Sequence, residues 1–279
     1  FRWLANDLCS HNWPVVLLQH PGSDAEAVKA LLEGRRPLPG AEVIPDRLED
    51  LNELIKAKEE GMFSIEEEEV VLIGHSLGAL TAFFASGATL EDGLDKRCQK
   101  ALDALSLTNL SQLLQCQMIN VSLPKAIYTS KLKAIVAINS FGSLLWPSAG
   151  SANIPVPVLL AGGTYDLITP ALTEQLSLLL STIPNDFSRT LLVEGASHFS
   201  PIRVQNQIKK IKSDDLFQLG EALVGVQPFA VQNLLGTEII RFLDELERGD
   251  QMDTFIGEKK EGLYFHVLDR SMVEYLLEL

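Results

Sequence analysis

Ser76 stands between two glycines in "VVLIGHSLGAL" (70–80), where an apolar run of strand type gives way to a run of helix type. The pattern Gly74, His75, Ser76, Leu77, Gly78 matches G-x-S-x-G, in which a strained strand-to-helix turn aims a serine hydroxyl outward. The flanking glycines remove side chains that would collide with the neighbouring strand and helix. The amide of Leu77, at the start of the following helix, is then placed to donate to an oxyanion.

A serine hydroxyl is a poor nucleophile until a base takes its proton and an acid fixes the tautomer of that base. Of the five histidines, His198 in "EGASHFS" lies a few residues past a strand-type run, where a loop can carry an imidazole over the sheet edge. His75 points away if Ser76 faces substrate, and is expected to pack beneath the turn. His11 falls in a turn, His20 in "HPGS", and His266 in the amphipathic stretch "LYFHVL". The acid belongs at a strand end between serine and histidine. "AIVAINSFGS" ends in Asn139 and Ser140 without a carboxylate, whereas "VLLAGGTYDLITP" offers Asp166 after two glycines. Asp166 also suits an Asx-turn or a helix cap ahead of "LITP".

Alternating β and α signals position these residues. Strands are expected at 14–19 ("PVVLLQ"), 69–74, 133–139, 156–162 and 189–195, several of them continuous apolar runs that suit a parallel sheet covered on both faces. Helices are expected at 1–10, 24–34, 45–61, 77–87, from Pro170 to Ile183, and at 231–249, punctuated by prolines near their starts and glycines at their ends. The pattern predicts an α/β fold with a doubly wound, mostly parallel sheet, whose ligands bind beyond the carboxyl ends of the strands.

Composition narrows the function. A net charge of −14 argues against nucleic acid, which needs clustered Lys and Arg. No apolar run approaches the length of a transmembrane helix. The acidic run Glu66–Glu69 reads as a solvated lead-in to a strand. Cys9, Cys98 and Cys116 form no C-x-x-C pair and no zinc spacing, so no metal is expected. Cys98 and Cys116 flank a helical segment and can be bridged in an oxidising compartment; otherwise they are small buried hydrophobes.

Taken together, "GHSLG", "GGTYDLITP" and "GASHFS" resemble the nucleophile, acid and histidine signatures of the α/β-hydrolase superfamily. "LANDLCSHNWPVVLLQHPGSD" and "ALLEG" look like its platelet-activating-factor acetylhydrolase and dienelactone-hydrolase-like branch, and the likeness covers roughly residues 1 to 247. The resemblance implies hydrolysis of carboxylic esters without metal or organic cofactor: Ser76 as nucleophile, His198 as base, Asp166 as its orienting acid, and a small-molecule ester, apolar in its acyl part, as substrate. An acyltransferase or thioesterase resolves the same acyl intermediate with another acceptor, and a non-catalytic binding module on this scaffold is a further alternative.

The same branch puts another strand between "PVVLLQ" and "EVVLIG", yet 24–61 carries only helix and turn signals. The expectation is that the oxyanion loop and the first three strands lie upstream of Phe1, and that 14–19 and 69–74 do not pair directly. A hydrolase core is thus expected over 1–249, with 88–130 as a helical cap insertion folding over Ser76, and 250–279 as a C-terminal tail that docks either on the body or on a partner. Phe141, Trp146 and Phe199 lie close to the triad strand ends, where they can wall a pocket or simply fill the core.

Overall fold

The computed structural model describes all residues except 25, 28–29, 31–33, 36–38, 66–67, 105–108, 125–130, 203–226, 251–252 and 279. Four apolar runs form parallel strands β1 (Val70–His75), β2 (Leu132–Ile138), β3 (Val158–Gly163) and β4 (Arg189–Val193), hydrogen-bonded in that order. A hairpin of β5 (Phe255–Lys260) and β6 (Leu263–Leu268) continues the sheet, with β6 antiparallel to β4.

Because side chains alternate across a strand, β2 feeds two cores. Ile135 and Ala137 join one layer with α2 (Ile44–Glu59), α3 (Leu77–Ala85), α6 (Ser177–Ser181) and α8 (Arg270–Glu278). Ala134 and Val136 join the other with α1 (Arg2–Ser10) and α7 (Pro228–Arg248). The sheet therefore carries helices on both faces, which is why its central strands read as continuous apolar runs. Full burial of a side chain such as Leu160 or Phe83 contributes about 1.5–3 kcal/mol. Pro228 in the first turn of α7 and the left-handed Gly249 after it match the punctuation seen in the sequence.

Several expectations need correction. "PVVLLQ" forms no strand. Its residues still divide between the layers, Val15 packing against the same core as Val71 and Ile73 and Leu18 against the same core as Val70 and Leu72, but the segment shares no ladder with β1. An apolar run becomes a strand only where a neighbour satisfies its amides and carbonyls. β1 accordingly ends the described sheet, and all six of its residues are half-buried. The helix expected over 170–183 opens as a wider π turn, Ala171–Leu176, before α6, a difference that apolar spacing does not encode. Of the two placements left open for the C-terminal stretch, the structure has the docking on the body, as β5, β6 and α8. Most of the helix expected over 24–34 lies outside the described residues.

Within 88–130 the chain forms α4 (Leu94–Ala104) and α5 (Ser111–Gln117). A disulfide joins Cys98 of α4 to Cys116 of α5 across a Cα–Cα distance of 5.5 Å. α5 lies beside the loops after β2 and β3: Leu144 N–H, after β2, donates to Gln115 Oε1 at 2.7 Å, and Ser111 N–H donates to Ile168 O, after β3, at 2.9 Å.

Candidate functional site

The ends of β1, β3 and β4 bring three loops together. Ser76 occupies the turn between β1 and α3 with φ 54° and ψ −118°, a conformation that L-residues adopt only under strain. Its N–H donates to Ile138 O at 2.9 Å, and its carbonyl accepts from Leu80 N–H at 3.1 Å, beginning α3. Strand and helix approach so closely here that a Cβ on Gly74 would overlap the Gly78 carbonyl, which accounts for the first glycine of the motif. Leu77 is the first residue of α3, where a backbone N–H has no partner within the helix.

Asp166 follows β3 and is buried. Its Oδ1 accepts from the N–H groups of Ile168 and Thr169, both at 2.8 Å. Its Oδ2 accepts from His198 Nδ1 at 2.8 Å, Thr169 Oγ1 at 2.6 Å and Asn139 Nδ2 at 2.5 Å. The carboxylate thus does both things the sequence allowed: it closes an Asx-type turn with one oxygen and holds the imidazole with the other. Burial by itself raises its pKa, but the hydrogen bonds from His198 and Thr169 and the proximity of His198 outweigh this and hold it below the usual aspartate value.

His198 is buried on the loop after β4. That loop lies so near the end of β3 that a Cβ on Gly163 would overlap the Ala196 carbonyl. With Nδ1 donating to Asp166, the neutral imidazole carries its lone pair on Nε2, the tautomer a general base requires. The structure brings Asp166 and His198 into direct contact and sets the Ser76 turn beside them, through His75. The His75 and His198 rings lie 4.8 Å apart, and His75 Nε2 donates to the His198 carbonyl at 2.9 Å. A hydrogen bond between Ser76 Oγ and His198 Nε2 is not among those formed by the described residues.

His75 does more than the packing expected of it. Its donation to a carbonyl fixes a neutral tautomer with the proton on Nε2, and burial, reinforced by the charge of His198, pushes its pKa down to about 3. The Phe1 and His75 ring centroids lie 5.5 Å apart, and Trp3 Nε1 donates to Pro201 O at 2.9 Å.

Sequence reasoning also missed Asn139 and Thr169 as partners of Asp166. Asn139 has φ 48°; an asparagine at a strand end, tolerant of that region, was the available signal. Phe141 and Trp146 are core residues, Trp146 packing on Phe83 and Phe84, whereas Phe199 is part-exposed beside His198. A cleft of about 480 Å³, lined by Phe84, Ala88, Leu90, Val121, Leu123 and Pro124, opens at the end of α3 remote from Ser76. Among the described residues, no three His, Cys, Asp or Glu side chains gather as a metal site, and no helix is long and apolar enough to cross a membrane.

The fold and loop arrangement define an α/β protein with a mostly parallel sheet and a buried aspartate–histidine pair at its strand ends. The chain matches no family model and no curated protein.

Proposed function

We propose that this protein is a serine hydrolase of the α/β-hydrolase type, cleaving carboxylic esters through an acyl-enzyme. The observation that carries the reading is the 2.8 Å hydrogen bond from His198 Nδ1 to buried Asp166, formed beside a serine in a strained strand-to-helix turn. In this reading Ser76 Oγ attacks the ester carbonyl and passes its proton to His198 Nε2. Asp166 holds the ring and stabilises the imidazolium, while the Leu77 N–H donates to the oxyanion. His198 then protonates the leaving alcohol, and water, deprotonated by the same nitrogen, releases the acid and restores Ser76. The segment carrying α4 and α5 acts as the cap beside the acyl pocket.

A binding module on the same scaffold is the second reading, favoured by the missing hydrogen bond between Ser76 and His198. In apo enzymes such bonds are often long and tighten only with substrate, so labelling decides between the two. A fluorophosphonate is expected to modify Ser76 in the folded protein and to abolish turnover of p-nitrophenyl esters. A folded protein whose Ser76 resists the label refutes the hydrolase reading.

A further inference from the structure

Thr169 reaches both oxygens of Asp166 at once: its N–H donates to Oδ1 at 2.8 Å and its Oγ1 to Oδ2 at 2.6 Å. Oγ1 also lies 3.2 Å from His198 Nδ1 and 3.2 Å from the Asn139 carbonyl. A threonine hydroxyl has one hydrogen and two lone pairs. The carboxylate, charged and closest, takes the hydrogen. A lone pair is then left toward His198, so the Nδ1–H of the ring meets two oxygens, Asp166 Oδ2 at 2.8 Å and Thr169 Oγ1 at 3.2 Å.

The turn at Asp166 closes through the amides of Ile168 and Thr169 and does not require the hydroxyl. What the hydroxyl adds falls on Oδ2, the oxygen that serves His198. Every donor on that oxygen stabilises its negative charge and weakens its pull on an imidazolium. Asn139 Nδ2 does so from the loop after β2, Thr169 from the loop of Asp166 itself. A base that takes a proton from Ser76 must return it to the leaving alcohol, and a carboxylate without competing donors would favour the first transfer at the expense of the second.

Resting on the hydrolase reading, we propose that Thr169 is a positioning residue for His198: its hydroxyl confines the ring proton to Nδ1 and tempers the grip of Asp166 on the imidazolium. Other groups around the ring leave that role to it. Among the described residues, His75 faces His198 from the end of β1, and burial, which pushes its pKa down to about 3, keeps it neutral at working pH. Phe1, whose ring packs on His75, adds the charge of its amino group. Glu174, in the π turn, is engaged by Gly142, Ser143, Asn109 and Gln115, and Tyr165 beside Asp166 is exposed.

Thr169→Val keeps the shape of the side chain and deletes the hydroxyl. Nuclear magnetic resonance of protein labelled with nitrogen-15 histidine, with His198→Gln to identify the signals, follows the ring from about pH 5 to about pH 9. Its titration midpoint is expected to rise by about half a pH unit in Thr169→Val, the share of a charge-assisted hydrogen bond that reaches the ring. In Thr169→Ser, which keeps the hydroxyl, the midpoint is expected to stay with the parent. The lower limb of the pH profile of kcat/KM for a p-nitrophenyl ester should move with it, and kcat/KM at pH 7 should fall about tenfold in Thr169→Val. Thr169→Ala is the substitute should the valine variant fail to fold. A residue that only braces the turn would lower Tm and leave the midpoint in place. An unmoved or lowered midpoint in a folded variant, an equal shift in Thr169→Ser, or a ring that titrates in neither protein over this range overturns the proposal. The resonance measurement needs neither ester nor label, so failure of the positioning is separable from failure of Ser76 to react.

Discussion

His75 Nε2 donates to the backbone carbonyl of His198 at 2.9 Å, so the residue preceding Ser76 clamps the loop that carries the imidazole. The contact spans 123 positions of sequence and ties the end of β1 to the loop after β4. His75→Phe keeps an aromatic ring and removes the donor, leaving a carbonyl without its partner at a cost of about 1–3 kcal/mol. Looser placement of the imidazole is expected to lower kcat/KM by about tenfold. Melting curves and ester hydrolysis by the variant check both; unchanged kcat/KM refutes the clamp.

The same residue gives stability a pH dependence. In the unfolded chain His75 titrates at its ordinary 6.5; in the fold, burial and the charge of His198 push it down to about 3. Between these values the unfolded chain binds a proton that the folded chain refuses, so its contribution is full above pH 6.5 and falls as pH drops toward 3. His20, lowered by burial and by Arg47, acts in the same direction. Asp166, held below its ordinary 3.8, adds a further loss below that pH. Tm is expected to decline from pH 7 to pH 4, and more gently in His75→Phe. Equal slopes in the two proteins refute the assignment.

Strain at Ser76 is measurable. Its φ of 54° with ψ −118° lies where glycine is at ease and L-residues pay about 1–3 kcal/mol. Ser76→Gly relieves that strain, partly offset by the entropy of a freer unfolded chain, whereas Ser76→Ala retains it. The glycine variant is expected to melt about 2–4 °C above the alanine variant, near 1 kcal/mol for a chain of this size. Both lose fluorophosphonate labelling. A glycine variant that melts no higher shows that the turn stores nothing.

The buried strands, the turn at Ser76 and the loops bearing Asp166 and His198 were legible because each rests on local signals: an apolar run, a glycine pair, a polar residue just past a strand end. The partners of Asp166 were not. Asn139 and Thr169 are ordinary polar residues whose meaning arises when loops far apart in sequence meet. β5 was hidden because an edge strand is polar by design, "GEKK" giving no apolar alternation. "PVVLLQ" misled in the opposite sense, since a hydrophobic run reports burial and not the ladder that makes a strand. Expecting His75 to pack under the turn located it, but its donation to His198 depends on a fold-level approach that no spacing reveals.

The bridge between Cys98 and Cys116 closes a loop of 18 positions, which stabilises by about 3 kcal/mol through the unfolded chain. Reduction, or Cys98→Ser with Cys116→Ser, is expected to lower Tm by about 6–12 °C. Cys9 is exposed and free, so a thiol reagent should count one group in the native protein and three after denaturing reduction. Three reactive thiols without reductant refute the bridge.

Glu174 is fully buried and meets no cation among its described contacts; its carboxylate accepts from five donors instead. Gly142 N–H and Ser143 N–H serve Oε2, while Ser143 Oγ, Asn109 Nδ2 and Gln115 Nε2 serve Oε1. One side chain thereby ties α5 and its approach to the loop after β2, and adjacent Gln175 holds Ser140 from the same turn. Glu174→Gln keeps the shape but turns one acceptor into an NH₂ group facing donors, a mismatch worth about 2–3 kcal/mol. Because the loss is local, amide exchange at Gly142 and Ser143 should quicken by roughly 30-fold to 100-fold, while the Leu191 amide in β4 exchanges only as global stability allows. Hydrogen exchange resolved to these peptides measures it; unchanged exchange at 142–143 in a folded variant shows that the loop is held by something other than this carboxylate.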